Sequence, residues 1–311
     1  MPNTSDRPPA AGGIPRIAAL TYAAAEPFHC QLMDIAEAGL ARHGFVDGET
    51  CVLQRWFGNR DIERTRSLAK EIVEWRPEVI LSFMTNADLA LLDVTREYPI
   101  PIVCWSMDPV GGGLVADPQR PERNLTGVTF AHPLPAAQLE VLRALRPAAR
   151  KVAMLHNPTY AIAPAALAHL RHAAGPLAIE IQEFECLSLA EIDGAFDAMR
   201  QAGIDAAIIG PHELFNANGP AINRAADANS VAVVGLLSIA ENGGPAGFLP
   251  DFEHVWTLCA TIAAEVLRGR KIADLPFQRS IAPLLGVHRE ALRRLGVSDG
   301  DRLIERADWV F

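Results

Sequence analysis

Apolar and polar positions along the chain fall into two successive series of short apolar runs and amphipathic stretches. The run Arg16 to Tyr22, with Ile17, Ala18, Ala19 and Leu20 at its centre, predicts a first strand. From Phe28 to His43 the apolar residues Leu32, Ile35, Ala36 and Leu40, with Gly39, share one helical face, and Gly44 stands where a helix ends. Thr50 to Phe57 reads as a strand, Asp61 as the cap of a helix running to Trp75, Glu78 to Phe83 as a strand, and Ala87 to Glu97 as a helix. Ile102 to Ser106, bounded by prolines on its N-terminal side, completes a β-α-β-α-β-α-β series.

After Pro133 a helix to Leu145 leads into a matching series. Strands are predicted at Lys151 to Leu155, Ala178 to Phe184, Asp205 to Gly210 and Val231 to Leu236. Helices are predicted from about Pro164 to Ala174, Leu189 to Ala202 and Asn218 to Ala228. Two α/β halves of like order predict an α/β fold of two doubly wound parallel-sheet lobes. The end differs: an amphipathic helix Phe252 to Arg268, a turn Lys271 to Pro276, an extended piece Ile281 to Leu285, a short helix His288 to Leu295, and a tail at Ala307 to Val310. Such a mixture suits a segment that recrosses between lobes.

Composition agrees with two domains. The chain has 311 residues, half of them hydrophobic, and 21% are charged, which suffices for two cores and is too apolar for disorder. A net charge of -9 argues against a nucleic-acid partner. No apolar run approaches the roughly 18 residues of a membrane span. Residues 1–14 lack periodicity and read as a flexible tail without the features of an export signal. Five cysteines (Cys30, Cys51, Cys104, Cys186, Cys259) are widely spaced; Cys104 and Cys259 read as core residues, and the set leans towards a reducing compartment.

Motifs for catalysis are missing: there is no G-x-S-x-G, phosphate loop, H-E-x-x-H or G-x-G-x-x-G in place. His169 and His172 share a predicted helix but have no third ligand nearby, so neither metal nor cofactor is expected. The triplet Gly111 to Gly113 reads as a loop. Strand ends carry the chemistry: Tyr22 to Glu26, Met84-Thr85-Asn86-Ala87 and Ser106-Met107-Asp108 in the first half, then His156 to Tyr160, Pro211-His212-Glu213-Leu214-Phe215 and Leu236 to Ser238 in the second. Each set puts hydroxyl, amide and aromatic groups at the end of an apolar strand, as a small-molecule cleft requires. Thr85 and Asn86 open a helix, where backbone N–H groups and the dipole favour an anion; capping by either side chain is the plain alternative. Tyr22, Trp105, Tyr160 and Phe215 are candidates for stacking on a ligand, and Trp105 reads equally well as core.

Ser106-Met107-Asp108-Pro109-Val110-Gly111, Leu114-Val115, Arg120-Pro121 and Asn124-Leu125-Thr126-Gly127-Val128, together with Asn157-Pro158 and the run Leu267 to Pro276, resemble the signature of ABC-transporter substrate-binding proteins of the TrpX-like branch. The resemblance implies a periplasmic-binding-protein type I fold with about three hinge crossovers. It divides the chain into a first lobe at 15–130 plus about 248–280 and a second at 131–247 plus about 281–311. It implies a ligand carboxylate at the Thr85-Asn86 loop, Asp108 at the cleft rim, and Asn157 facing the ligand. Turn formation is the alternative role for Asp108 and Asn157. Glu213 stands where these proteins carry an Asp paired with the ligand ammonium, and Leu214 where they carry Asn; a plain helix N-terminal Glu is the alternative.

The candidate ligand-binding set is thus Tyr22, Thr85, Asn86, Ser106, Asp108, Asn157, Tyr160, His212, Glu213 and Phe215. The expected function is that of a solute-binding protein of an ABC importer, holding a small carboxylate-bearing molecule (an aromatic amino acid among the candidates) by hinge closure. The expected partner is a membrane permease, the expected location periplasmic or extracytoplasmic, and the expected state a monomer. An intracellular ligand-sensing module on the same fold is the rival reading, and an enzyme using Glu213 and His212 as acid and base lacks a supporting motif.

Overall fold

The computed structural model describes residues 13–129, 133–160, 162–280, 283–297 and 300–311, so most of the expected tail and the residues Ile281 and Ala282 of the expected extended piece lie outside them. In chain order the elements begin β1 (Arg16–Thr21), α1 (Pro27–Arg42), β2 (Val52–Phe57), α2 (Ile62–Trp75), β3 (Val79–Phe83), α3 (Thr85–Val94), β4 (Ile102–Ser106) and β5 (Leu125–Thr129). There follow α4 (Pro133–Leu145), β6 (Lys151–His156), α5 (Ala163–Ala174), β7 (Glu180–Glu185), α6 (Ile192–Gln201), β8 (Ala206–Ile209), α7 (Glu213–Ala217), α8 (Gly219–Ala228) and β9 (Ala232–Leu236). Last come α9 (Leu237–Glu241), β10 (Ala246–Leu249), α10 (Phe252–Leu267), β11 (Gln278–Arg279), β12 (Leu284–Val287), α11 (Arg289–Arg294), α12 (Gly300–Arg306) and β13 (Trp309–Val310).

The chain divides into two compact units, Met1–Phe130 with Phe252–Ile281, and Ala131–Asp251 with Ala282–Phe311. The second stretch of the first unit starts at Phe252 because β10 pairs with β9 and β12 in the sheet of the second unit.

Among the described residues, the first unit holds a six-stranded parallel sheet in the order β11-β5-β4-β3-β1-β2. Its strands read as unbroken apolar runs because both faces are covered. Alternate residues then feed two cores. Ile17, Ala19, Val79, Leu81 and Val103 pack with α1 and α10, while Ala18, Leu20, Ile80, Ile102 and Cys104 pack with α2 and α3. The second unit's sheet runs β13-β12-β10-β9-β8-β6-β7, with β10–β12 the antiparallel pairing. Ala153, Leu155, Ala207, Ile209 and Val233 meet Phe196 and Met199 of α6 and Ile222 and Ala226 of α8. Both sheets therefore contain the order second-first-third-fourth-fifth strand of a doubly wound fold.

The Asn124 to Val128 motif enters and forms most of β5, a strand not expected from hydrophobic pattern. The Asn124 amide donates to Thr95 Oγ1 (2.9 Å) and the Ile100 carbonyl (2.6 Å), and Thr126 Oγ1 donates to the Leu275 carbonyl (2.6 Å), tying the unit's two stretches together. Gly127 lies opposite Cys104, where any Cβ would collide with the Cys104 backbone. Asp61 caps α2 as expected, accepting from the N–H groups of Glu63 (2.8 Å) and Arg64 (3.1 Å). Cys51, Cys104, Cys186 and Cys259 are buried free thiols, and Cys259 Sγ donates to the Cys104 carbonyl at 3.6 Å.

Asp88, on the inner side of α3, is fully enclosed; burial pushes its carboxyl well above the ordinary 3.8, with the Ser82 hydroxyl acting against that shift. A raised carboxyl stabilises the fold fully only below its unfolded pKa. Stability then falls as pH rises towards the folded value, by about 1.4 kcal/mol per pH unit within that window. Asp88→Asn removes the ionisable group at nearly constant shape. Its melting temperature is expected to exceed that of the parent at pH 7, with the gap closing towards pH 4. Thermal unfolding followed by circular dichroism at both values checks this; a variant less stable at pH 7 than at pH 4, relative to the parent, would refute it.

Candidate functional site

The order reversal in the first sheet falls between β1 and β3, which are followed by helices packed on opposite faces of the sheet, the place where open α/β sheets bind ligands. Tyr22 follows the end of β1 directly and Thr85 stands two residues beyond the end of β3, and the Tyr22 N–H still reaches the Phe83 carbonyl at 3.4 Å. Tyr22 is half-buried, and its hydroxyl donates to the Arg60 carbonyl at 2.7 Å. Met84 adopts φ 86° and ψ 139°, a strained conformation for a residue with a Cβ. That turn starts α3 abruptly, with no side-chain cap, so Thr85 and Asn86 act as opening residues and not as caps. Thr85 is half-buried and Asn86 exposed.

Ser106 closes β4, and its residue is buried. Asp108 is buried too, and its Oδ1 accepts from the N–H groups of Val110 (3.1 Å) and Gly111 (2.8 Å), the turn-forming role. The glycine triplet is a turn, since Gly112 N–H donates to the Asp108 carbonyl and Gly113 N–H to that of Val110, each at 2.9 Å. A Cβ on Gly112 would lie 2.9 Å from the Asp108 carbonyl oxygen and 3.5 Å from Thr85 Cγ2, which brings the Asp108 loop against the start of α3. Trp105 is half-buried, edge-on to Phe252 at 5.2 Å, and its indole Nε1 is enclosed with no hydrogen-bond partner among the described residues.

In the second sheet the reversal falls between β6 and β8. The loop after β6 carries Asn157 and Tyr160, and the loop after β8 carries His212 and Glu213. Tyr160 meets the His212 ring edge-on at 5.4 Å. Asn157 is buried, with its Oδ1 accepting from the Thr159 N–H (3.0 Å) and hydroxyl (2.6 Å), again a turn. His212 Nδ1 accepts from the Leu214 N–H at 3.0 Å and so caps α7. An accepting Nδ1 puts the proton of the neutral ring on Nε2. Burial holds the His212 pKa below 6.5, against the charge of Glu213. Burial also pushes the Tyr160 phenol up, assisted by Glu213. Glu213 is exposed at the first position of α7. Phe215 is 1% exposed and belongs to the core with Phe196 and Ile222, so its ring is already enclosed by protein.

Hydrophobic pattern does not find Glu26 and Arg60, which join the loops after β1 and β2 through a two-pronged ion pair, each contact 2.8 Å. Their one sequence signal is position, in the loops that leave two neighbouring strand ends. Among the described residues no group of three or more His, Cys, Asp or Glu could hold a metal ion, and no helix is long and apolar enough to cross a membrane.

Residues 32–311 match the family described as ABC transporter substrate binding protein. A tyrosine-binding protein from Clostridioides difficile (strain R20291) is 23% identical over 234 residues, which are 75% of this chain and 67% of that protein. An ABC domain in complex with L-Trp from Streptococcus pneumonia superposes with a TM-score of 0.81 at 20% identity, covering 96% of this chain and 100% of that one. A substrate binding protein with adhesive properties from Clostridium difficile gives 0.80 at 20% identity, covering 96% and 99%. These likenesses establish the periplasmic-binding-protein type I fold.

His212 yields a prediction. A histidine with a lowered folded pKa contributes fully above its unfolded value, and that contribution is lost as pH falls below about 6.5 towards the folded value. His212→Asn keeps a capping side chain that does not titrate. The variant is expected to lose less stability than the parent between pH 7 and pH 5, read from melting temperatures; an equal loss would show that His212 is not the titrating cap. The match spans residues 32–311, most of the chain: the chain belongs to the ABC transporter substrate binding protein family, whose members bind a solute rather than transform it.

Proposed function

We propose that this chain is the solute-recognition component of an ABC importer, that it works on the extracytoplasmic side as a monomer delivering to a membrane permease, and that its ligand is a small carboxylate-bearing molecule of the aromatic amino-acid class. The observation that carries this reading is the start of α3: an uncapped helix N-terminus, set by the strained Met84, beside the β1/β3 reversal. Its opening N–H groups and dipole suit a carboxylate without placing a full positive charge there. Half-buried Tyr22 and Trp105 and exposed Tyr160 supply ring surfaces at the strand ends. Ser106, Asp108 and Asn157 shape the adjoining turns, and His212 Nε2–H and Glu213 add a donor and an acceptor in the second unit. The names of the tyrosine-binding and L-Trp-bound relatives support the ligand class. Groups on both units take part, and binding selects the conformations in which they reach the ligand, by differential affinity alone.

L-Tyrosine or L-tryptophan is expected to raise the melting temperature, with stabilisation of about 2.7 kcal/mol at ~100 times the dissociation constant. Thr85→Asp separates a ligand site from a plain helix start. A carboxylate at this position is favourable to α3 but takes the place of the ligand's own carboxylate. The variant is expected to melt no lower than the parent while losing at least about tenfold in affinity by calorimetry. Unchanged affinity would remove the α3 N-terminus from the site.

A further inference from the structure

Along α3 the first unit carries a groove that the reading above does not use. Leu89, Asp93 and Arg96 recur every three or four residues, so they form one stripe of α3, and Ile62 and Arg66 stand one turn apart on α2. Together with Arg123, ahead of β5, they line a cavity of about 500 Å³, a size that suits a small molecule. Asn86, a candidate from the sequence, lines the end nearer the α3 start. None of the side chains given to the solute above lines the groove.

The lining has two characters. Ile62 and Leu89 are 38% and 41% exposed, an apolar surface left open to water. Against it stand three guanidinium groups and one carboxylate, in a chain of formal net charge -9. Arg123 is held from below: its Nη1 donates to the carbonyls of Gly113 (3.2 Å) and Leu114 (3.3 Å). Gly113 takes φ 70° in the turn that presents the first of these. No carboxylate pairs with Arg123 among the described residues, so its charge is fixed in place and uncompensated. Arg66 and Arg96 pair with Glu63 (2.6 Å) and Asp93 (2.9 Å), each three residues away on its own helix, with the arginine side chains 56% and 74% exposed. Exposed pairs of this kind are worth about 0–1 kcal/mol, so an incoming anion displaces them at little cost.

We propose that this groove is a second ligand site, for a small organic anion carrying two negative charges. The anion's charged groups lie on Arg123, Arg96 and Arg66, whose planar forks fit carboxylate and phosphate oxygens alike. Its carbon skeleton covers Ile62 and Leu89. One charge suffices only to balance Arg123; the second takes the place of Asp93 on Arg96 or of Glu63 on Arg66, and a neutral molecule would leave Arg123 as it is.

Titration calorimetry with glutarate, butyl phosphate and butyrate tests this at low ionic strength, where exposed charges are least screened. At least one of the two dianions is expected to bind at millimolar concentration, about tenfold or more tighter than butyrate, and the one that binds tells carboxylate from phosphate recognition. Arg123→Gln and Arg96→Gln are each expected to lose about tenfold of that affinity. Asp93→Asn removes the competing carboxylate and is expected to gain affinity, which loss of a merely structural ion pair would not bring. Arg143→Gln, at an exposed position of α4 in the second unit, removes the same charge elsewhere and is expected to change nothing. Melting curves establish that each variant is folded. Failure of both dianions to bind, butyrate binding as tightly as they do, a loss in Arg143→Gln as large as in the groove variants, or no gain in Asp93→Asn would overturn the proposal.

Discussion

A parallel sheet covered on both faces must reverse the direction in which its strands are added, and the strand ends at the reversal cannot both be covered by the same helix layer. This constraint fixes where polar groups can gather in the protein. Each unit places its reversal between its first and third strands, at β1/β3 and at β6/β8. Elsewhere in the first unit, alternating residues of the central strands are committed to two apolar cores, and in the second unit strand residues such as Leu155, Ile209 and Val233 are committed to another. Polar side chains that would cost several kcal/mol in those cores can stand at the strand ends instead. Tyr22 and Thr85 in one unit, and Asn157, Tyr160, His212 and Glu213 in the other, follow the strands on either side of a reversal.

Local backbone geometry refines that placement. Met84 accepts an unfavourable φ, and the result is a helix that begins without a cap. Asn59 and Arg60 accept left-handed conformations, and the result is a guanidinium laced to the loop after β1. By contrast the α7 start is closed by His212, and the turns at Asp108 and Asn157 consume their own side-chain oxygens. The first unit therefore carries an uncapped helix start and the Glu26–Arg60 ion pair at its strand ends, while the second carries rings, the His212 cap and an acidic side chain. Gly127, within the motif that resembles the family most sharply, serves packing and not ligand contact, since it admits the Cys104 backbone.

Hydrophobic periodicity was sufficient for the long elements, whose apolar faces are wide and whose ends carry recognisable signals, as with Asp61 before α2. It was insufficient for β5, β10 and the short helices α7, α9 and α12. β5 mixes Thr126 and Gly127 into a strand because its hydroxyl is satisfied by Leu275, which lies far away in the chain. The short helices follow strand ends directly and have too few turns for a period to emerge. Among site residues, position at a strand end was readable, but side-chain commitment was not. Phe215 stands in the expected loop, yet its side chain turns into the core. Arg60 resembled loop filling between Asn59 and a cap, because its partner Glu26 is distant in sequence. Pairings of that kind depend on the spacing of β1 and β2, which no local pattern encodes.

Hydrogen–deuterium exchange with and without saturating L-tyrosine or L-tryptophan tests the central claim that recognition sits at the two strand-order reversals. Protection is expected in the loops spanning 22–26, 84–87, 157–160 and 212–214, with the outer ends of the sheets unchanged. Protection confined to other surfaces, or to the opposite ends of the strands, would contradict it.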